Sequence, residues 1–270
     1  MNRGGGQFWG GAPQWERLGE LGEMAPPAPG AADIWLIRLD APEPAGTPTS
    51  ALGVEEQSRA QRFVFKKDRA RFVAGRQAFR QLVSLYSAGD GAGLGKESRR
   101  AVLGYRENGQ PMVEGADIAV SFSRSGGLAV AAFGCGDEGR RRLGVDLEKV
   151  GDAPDLQVTT DSHFAPTERS ALAAVSEAER VRLFYCGWTA KEALLKATGE
   201  GISDRLSEIS VDLSRLAGET DVIAAPPLVA FEGAAQDTSW SLATFPIDVT
   251  AIVTLAQDAP IKRLRFLHYN

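Results

Sequence analysis

The chain has 270 residues, 43% of them apolar and 24% charged, with a formal net charge of -5. These values are typical of a soluble globular protein with room for one large or two modest domains, and the acidic balance argues against bulk nucleic-acid binding. No stretch has the roughly eighteen uninterrupted apolar residues of a membrane helix, and no signal pattern opens the sequence. The sequence therefore predicts a cytoplasmic protein without membrane contact.

The counts of cysteine and histidine restrict the chemistry further. Cys135 and Cys186 are the only cysteines, and His163 and His268 are the only histidines. Two cysteines so far apart form neither a disulfide framework nor a CxxC zinc pattern. Any catalytic chemistry is therefore expected from carboxylates, lysines and arginines.

The first third of the chain predicts a tail, a strand and a long helical region. Residues 1–30 are rich in Gly and Pro, which predicts a largely disordered segment in which Trp9, Trp15 and Leu21 could still dock locally. The apolar run Asp33–Leu39 predicts a strand. Across Val54–Tyr86, apolar residues recur at steps of three and four, which predicts helix. Arg69, Arg76 and Arg80 share a different face of this helix, and Arg76, Arg80 and Arg140–Arg142 are expected to be a solvated basic face.

Short strands then follow a predicted glycine-rich loop at Ser87–Lys96. Their close spacing favours antiparallel pairing. The predicted strands are Ala101–Tyr105, Ile118–Phe122 and Leu128–Phe133, joined by turns at Glu107–Pro111 and Ser123–Gly127.

The remainder of the chain repeats this order of a strand, helices and strands. The expected elements are a strand at Gly144–Val150, helices at Pro166–Ala174 and Ser176–Thr198, and strands at Glu208–Leu213, Ser239–Phe245, Val249–Leu255 and Leu264–Leu267. The repeated order predicts two α+β halves, residues 31–143 and 144–270, each with an antiparallel sheet. The cleft between the halves is the expected place for an active site, and a monomer is expected.

Two carboxylates stand out in the sequence GVDLEKV at Gly144–Val150. In a strand, Leu143, Val145 and Leu147 point to one face, and Asp146 and Glu148 point to the other. Like charges on one face repel each other unless a cation lies between them, and magnesium is a hard cation that takes oxygen ligands. Taken alone, the pair also fits a solvated strand face.

A second pair of charges lies in the predicted helix Ser176–Thr198. Glu192 and Lys196 are four residues apart, so their side chains share one helical face. Taken alone, this spacing is also that of a common solvated ion pair, which contributes little to stability.

Together, GVDLEKV and the later FYCGWTAKEALLKATGEGI resemble the paired signature of the Sfp-type 4'-phosphopantetheinyl transferases, (V/I)G(V/I)D(I/L)E and (F/W)xxKExxxK. The resemblance extends from Asp33 to Val211, and RFVFKKDRARFVAGRQAFR is similar to the family's helical region that binds coenzyme A. Gly109-Gln110-Pro111 stands where the family usually has Gly-Lys-Pro. Ser123-Arg124-Ser125 stands where it usually has Ser-His-Ser. The implied fold is a pseudo-twofold duplicated α+β fold.

The resemblance implies magnesium-dependent transfer of 4'-phosphopantetheine from coenzyme A to a serine of an apo acyl or peptidyl carrier protein. The carriers of secondary-metabolite pathways are the expected partners. Asp146, Glu148 and Glu192 would hold magnesium, and Glu192 would also accept the serine proton. Lys196 would stabilise charge on the phosphates, and Arg71 would bind the 3'-phosphate. The complete implied set for coenzyme A is Arg71, Gln110, Pro111, Ser123, Arg124, Lys191 and Lys196.

Two departures from the family pattern leave alternatives open. Arg124 replaces a histidine and keeps a permanent positive charge, whereas Gln110 replaces a lysine and removes one. A degenerate, non-catalytic protein that binds coenzyme A or a carrier is the main alternative. An unrelated magnesium-dependent phosphohydrolase would explain the acids, but it would not explain the sequences around Gln110 and Arg124.

Overall fold

The structure is a computed structural model. It describes residues 13–17, 24–40, 52–86, 102–136, 141–151, 155–199, 206–213, 223–225, 229–231, 240–248 and 250–269. None of the helices in these ranges is long and apolar enough to cross a membrane. The loop predicted at Ser87–Lys96 lies outside the described residues.

The described residues form five helices and several small sheets. The helices are α1 (Val54–Gln61), α2 (Lys66–Tyr86), α3 (Leu156–His163), α4 (Pro166–Ala174) and α5 (Glu177–Thr198). The first strands are β1 (Glu16–Arg17), β2 (Ala31–Arg38), β3 (Val102–Tyr105), β4 (Pro111–Glu114), β5 (Ile118–Ser125), β6 (Leu128–Cys135) and β7 (Leu143–Lys149). The later strands are β8 (Ile209–Val211), β9 (Ile223–Ala225), β10 (Val229–Phe231), β11 (Ser241–Asp248), β12 (Ala251–Gln257) and β13 (Arg263–Tyr269).

The chain divides into two compact units. The first unit consists of Trp15–Leu143 and Lys262–Asn270, and the second consists of Met1–Gln14 and Gly144–Ile261. In the first unit a five-stranded sheet has the order β1-β13-β2-β6-β5, and β3 pairs with β4. In the second unit a four-stranded sheet has the order β7-β12-β11-β9, and β8 pairs with β10.

Each unit repeats one arrangement of elements. In the first unit, β2 is followed by the long helix α2 and the hairpin of β5 and β6, and β2 pairs with the second hairpin strand. In the second unit, β7 is followed by α5 and the hairpin of β11 and β12, and β7 again pairs with the second hairpin strand. The predicted duplicated α+β fold is thereby confirmed.

The pairing of β13 differs from the sequence prediction. The sequence placed Leu264–Leu267 in the C-terminal half and expected antiparallel sheets, but β13 runs parallel to β2 in the first unit. A buried polar network favours this pairing, because Arg265 donates from Nε to Asp33 Oδ1 at 2.9 Å. Tyr86 donates its hydroxyl to Asp33 Oδ2 at 2.6 Å, and the Trp35 indole donates to Tyr86. The carboxylate of Asp33 thus joins β2, α2 and β13.

The described parts of the predicted disordered segment contact the first unit. Trp15 packs edge-on against Phe266, and Glu16–Arg17 pairs with β13 as β1. The amide of Met24 donates to the carbonyl of Leu85 at 2.9 Å. Residues 1–12 and 18–23, on which the rest of that prediction falls, lie outside the described residues.

Two helical predictions also differ in detail from the structure. The helix expected across Val54–Tyr86 is two helices, α1 and α2, because the chain turns at Arg62–Phe65. Helix α3 was not predicted; its sequence, LQVTTDSH, carries two threonines and a valine, which have low helix propensity.

Candidate active site

Strand β7 and helix α5 approach each other unusually closely. The signal for α5 is local, since Ser176 caps its first turn in a capping box with Glu179, and Gly199 ends it with a φ of 76°. A Cβ built on Gly144 would overlap with the carbonyl oxygen of Ala193, so only glycine allows this approach. Ala193 is itself fully buried. This contact brings the carboxylate of Asp146 to the side chains of α5.

Asp146 and Lys196 form an ion pair across this approach. Lys196 Nζ donates to Asp146 Oδ1 at 2.6 Å, and the Asp146 side chain is only 5% exposed. Val145 and Leu147 are buried on the opposite face of β7, as the alternation of the strand predicts. Lys196 therefore holds one end of the acidic cluster in place.

Glu192 belongs to the same electrostatic cluster. Burial raises the pKa of Glu192, and the nearby negative charges of Asp146 and Glu148 raise it further. The ammonium group of Lys196 acts in the opposite direction. Three carboxylates and one ammonium thus interact within the second unit, and the excess negative charge favours binding of a further cation.

The chemistry of this donor set fits magnesium, because carboxylate oxygens are the ligands that the ion prefers. Within the ranges that the structure describes, no three acidic, histidine or cysteine side chains are arranged to hold a metal ion. The ammonium group of Lys196 already occupies one oxygen of Asp146. The metal set of Asp146, Glu148 and Glu192 therefore stays a prediction, and it requires rearrangement of these side chains.

Lys191 is placed where it cannot contact a phosphate in solvent. Its side chain is fully buried, and Nζ lies 2.7 Å from Glu168 Oε2, which is also fully buried. Nζ also donates to the carbonyl oxygens of His163, Leu206 and Ile209 at 3.1, 2.8 and 2.6 Å. The predicted role in binding coenzyme A is wrong for this position, because the ammonium already has four oxygen partners inside the second unit.

Three guanidinium groups in the first unit converge on one aromatic ring. Arg59, Arg76 and Arg124 each lie 5.6 Å from the ring centroid of Phe72, and Arg124 also lies 5.5 Å from that of Phe63. Burial lowers the pKa of Arg124, and the charges of Arg76 and Arg59 lower it further. In the described part of the chain, neither Arg59 nor Arg124 forms an ion pair with a carboxylate. Such mutually repelling cations favour the binding of a polyanion.

Arg71 is held differently from the three arginines around Phe72. It donates from Nε and Nη2 to the two oxygens of Asp40 at 2.7 and 2.6 Å, which is a bidentate ion pair. The pair lies against Gly127, where a Cβ would overlap with the Asp40 carboxylate. A 3'-phosphate at Arg71, as the sequence predicts, would have to share the guanidinium group with Asp40.

The remaining predicted residues for coenzyme A lie in the turn between β3 and β4, on β4 and on β5 of the first unit. Gln110 closes the hairpin of β3 and β4, its backbone carbonyl accepting from Arg106, and Pro111 begins β4. Ser123 is buried within β5. Ser123 and Arg124 were predicted in a turn, but they lie in the strand, and the turn itself is at Gly126–Gly127.

The basic face predicted at Arg76 and Arg80 is not simply solvated. Arg76 stacks on Tyr105 and Phe122 as well as Phe72, and it donates to the Tyr105 hydroxyl at 3.1 Å. Arg80 forms an ion pair with the buried carboxylate of Glu56 at 2.8 Å. Sequence analysis missed Arg59 and Arg76 as candidate residues for binding phosphate, because rings on other elements help to position them. These rings are Phe72 for Arg59, and Tyr105 and Phe122 for Arg76.

Replacing Glu56 by glutamine should make stability less dependent on pH. Burial acts to raise the pKa of Glu56, but hydrogen bonds from Arg80, Tyr105 and the Gly53 amide lower it below its ordinary value of 4.5. A lowered folded-state pKa contributes stability that is present at neutral pH and is lost as the pH falls through that pKa. We expect Glu56→Gln to lose about 1.5–3 kcal/mol at pH 7 in urea denaturation, with the difference shrinking as the pH falls below the ordinary value of 4.5 and through the lowered pKa. Glu55→Gln, its exposed neighbour, is the control and should change stability little.

Comparison with known proteins identifies the family of the sequence that forms β7 and α5. Residues 142–253 match the 4'-phosphopantetheinyl transferase superfamily. The chain is 33% identical over 186 residues to the 4'-phosphopantetheinyl transferase HetI of Nostoc sp., covering 67% of this chain and 73% of HetI. It is 32% identical over 180 residues to a putative 4'-phosphopantetheinyl transferase of Synechocystis sp., covering 66% and 69%. It is 28% identical over 165 residues to the 4'-phosphopantetheinyl transferase Sfp of Bacillus subtilis, covering 61% and 67%.

The chain therefore belongs to the 4'-phosphopantetheinyl transferase superfamily. The match in sequence includes both β7 and α5, the two elements that carry Asp146, Glu192 and Lys196.

Proposed function

We propose that this protein transfers the 4'-phosphopantetheine group of coenzyme A to a serine of an apo acyl or peptidyl carrier protein, releasing adenosine 3',5'-bisphosphate. The observation that carries the proposal is the cluster of Asp146, Glu148, Glu192 and Lys196 on β7 and α5. Carriers of secondary-metabolite pathways are the proposed partners.

In the proposed reaction the serine oxygen forms a bond to the phosphorus nearest pantetheine. The bond from that phosphorus to the departing adenosine bisphosphate breaks, and the electron pair leaves with the bisphosphate. Glu192 takes the serine proton, a role that suits a carboxylate whose pKa is raised by burial and by neighbouring acids. Lys196 stabilises charge on the phosphates.

Magnesium, held by Asp146, Glu148 and Glu192, would neutralise charge on the diphosphate and orient it. Lys196 would then exchange its bond to Asp146 for one to a phosphate oxygen. Of these groups, Lys196 has the freedom to move, since its side chain is 32% exposed while that of Asp146 is 5% exposed.

Coenzyme A itself is proposed to bind through the arginines around Phe72. Arg59, Arg76 and Arg124 supply three positive charges, and forked guanidinium donors match phosphate oxygens. A bound phosphate would relieve the repulsion that lowers the pKa of Arg124. Gln110 stands where the family usually has a lysine, so one positive charge is missing there. The three arginines around Phe72 would compensate for that missing charge.

Incubation with coenzyme A, magnesium and an apo carrier protein tests the proposed function. Intact mass spectrometry should show a phosphopantetheine adduct on the carrier, and mutation of the carrier's acceptor serine to alanine should abolish it. If several apo carriers remain unmodified while coenzyme A still binds, the protein is a non-catalytic binder and the proposal is wrong.

Replacing Arg124 by alanine should weaken binding of coenzyme A. Loss of a charge-assisted contact to phosphate should raise the KM for coenzyme A by about tenfold, with a smaller change in kcat. Arg124→His, which introduces the residue usual in the family, should keep most of the affinity. An unchanged KM in Arg124→Ala would show that this arginine does not bind coenzyme A.

A further inference from the structure

An ordered turn between α1 and α2 holds two apolar side chains out in solvent. Val64 is 88% exposed and Phe65 is 70% exposed. The turn is not a loose loop, because Phe63 packs against Phe72 with ring centroids 5.2 Å apart. The carbonyl of Phe65 accepts from the amide of Arg69 at 3.1 Å, which joins the turn to the first turn of α2. The fold gains little from a phenylalanine in this position, so its exposure calls for another explanation.

Basic side chains surround these two apolar residues. Arg62, Lys66, Lys67 and Arg69 are exposed, and Asp68 is the only acid between Arg59 and Arg71. Among the described residues, no carboxylate forms an ion pair with any of the four. The whole chain carries a net charge of -5, whereas this turn is locally positive. An apolar centre with a basic rim fits an acidic protein surface that also carries apolar residues.

We propose that Arg62, Val64, Phe65, Lys66 and Lys67, the docking turn, bind the apo carrier protein through an acidic, amphipathic helix of the carrier. This inference rests on the proposed function, which supplies the carrier as the partner. Phe65 is the apolar anchor that the carrier helix covers, and aromatic anchors of this kind contribute most of the energy of small interfaces. The cations around it raise the rate of encounter with an acidic partner. A membrane anchor would need an extended apolar face, whereas the docking turn offers two apolar side chains.

The apolar centre is tested with the double variant Val64→Ser/Phe65→Ser. The KM for the apo carrier should rise by about tenfold or more, because the anchor is lost. The kcat and the KM for coenzyme A should stay at the parent values. Val158→Ser is the matched control, since Val158 is 67% exposed on α3 of the second unit, and it should leave both KM values unchanged.

The basic rim is tested with Lys66→Glu/Lys67→Glu. The KM for the carrier should rise severalfold at low ionic strength, and the difference from the parent should shrink as salt is added. The matched control is Lys262→Glu/Arg263→Glu, which makes the same change of charge at exposed positions of the same unit. An equal rise in the KM for the carrier in both variants would show a general effect of charge. The proposal that the docking turn binds the carrier would then be wrong.

The outcomes separate this inference from the proposed function. If the parent modifies no carrier, the proposed function fails, and titration of the apo carrier into parent and variants by calorimetry still decides whether the turn binds it. If transfer occurs and the carrier KM is unchanged in the serine variant, the docking turn is wrong. A rise in the KM for coenzyme A alone would assign the turn to coenzyme A. Loss of binding to phosphatidylglycerol vesicles, with carrier kinetics unchanged, would assign it to a membrane surface.

Discussion

Replacing Glu192 by glutamine should abolish phosphopantetheine transfer and leave the fold intact. The variant removes the proposed base and one proposed metal ligand together, so kcat/KM should fall by at least about 1,000-fold. Glutamine has nearly the same shape, and it relieves the repulsion from Asp146 and Glu148 that raises the pKa of Glu192. The melting temperature should therefore equal or exceed that of the parent, which separates loss of catalysis from loss of structure.

Glu177→Gln is the matched control for Glu192→Gln, because it makes the same chemical change at an exposed position in the first turn of α5. It should keep parent activity. Normal turnover by Glu192→Gln would show that the site on β7 and α5 is wrongly assigned. A fall in melting temperature of Glu192→Gln would show that the glutamate supports the fold.

Replacing Lys191 by methionine should have the largest effect on stability. The variant leaves the carboxylate of Glu168 buried without its cation, and it removes the donor to three backbone carbonyls. Removal of one partner of a buried ion pair costs about 3–5 kcal/mol. Urea denaturation should show a loss of free energy of unfolding in this range, measured on the purified full chain.

A second substitution tests whether the buried charge causes that loss. In Lys191→Met/Glu168→Gln both charges are gone, while the amide oxygen can still accept from one of the two backbone amides, those of Ala165 and Val211, that donate to the two carboxylate oxygens of Glu168. The double variant should recover part of the stability. Lys262→Met, at an exposed position, should change it by less than about 0.5 kcal/mol. If Lys191→Met is instead as stable as the parent and binds coenzyme A more weakly, Lys191 contacts a phosphate of coenzyme A.

Local signals explain which parts of the fold were predictable. The alternation in GVDLEKV predicts the buried face of β7, where Val145 and Leu147 are buried and Asp146 faces α5. The boundaries of α5 follow from Ser176 and Gly199, which are neighbours of the helix in sequence. The ion pair of Asp146 with Lys196 forms because β7 and α5 pack closely against each other. The small residues Gly144 and Ala193 permit this close packing.

Contacts between residues that are distant in sequence explain the features that could not be predicted. Lys191 and Glu192 are adjacent in one motif, yet only the side chain of Lys191 points into the core. Its ammonium group is bound there by the carboxylate of Glu168 and by three backbone carbonyls from other segments. Arg76 has the helical spacing of a surface residue, but the rings of Tyr105 and Phe122 cover it. The parallel pairing of β13 depends on Asp33 and Arg265, which are 232 residues apart.

The place of β13 has a consequence for the order in which this protein can fold during synthesis. A ribosome that has made the chain only as far as Ile261 has completed every other strand of the first unit's sheet, but Asp33 still lacks Arg265. Within the sheet that the structure describes, β1 lacks its neighbouring strand for the same reason. The sheet of the first unit therefore stays incomplete until β13 has been made, whereas the residues of the second unit are all present once Ile261 has been added.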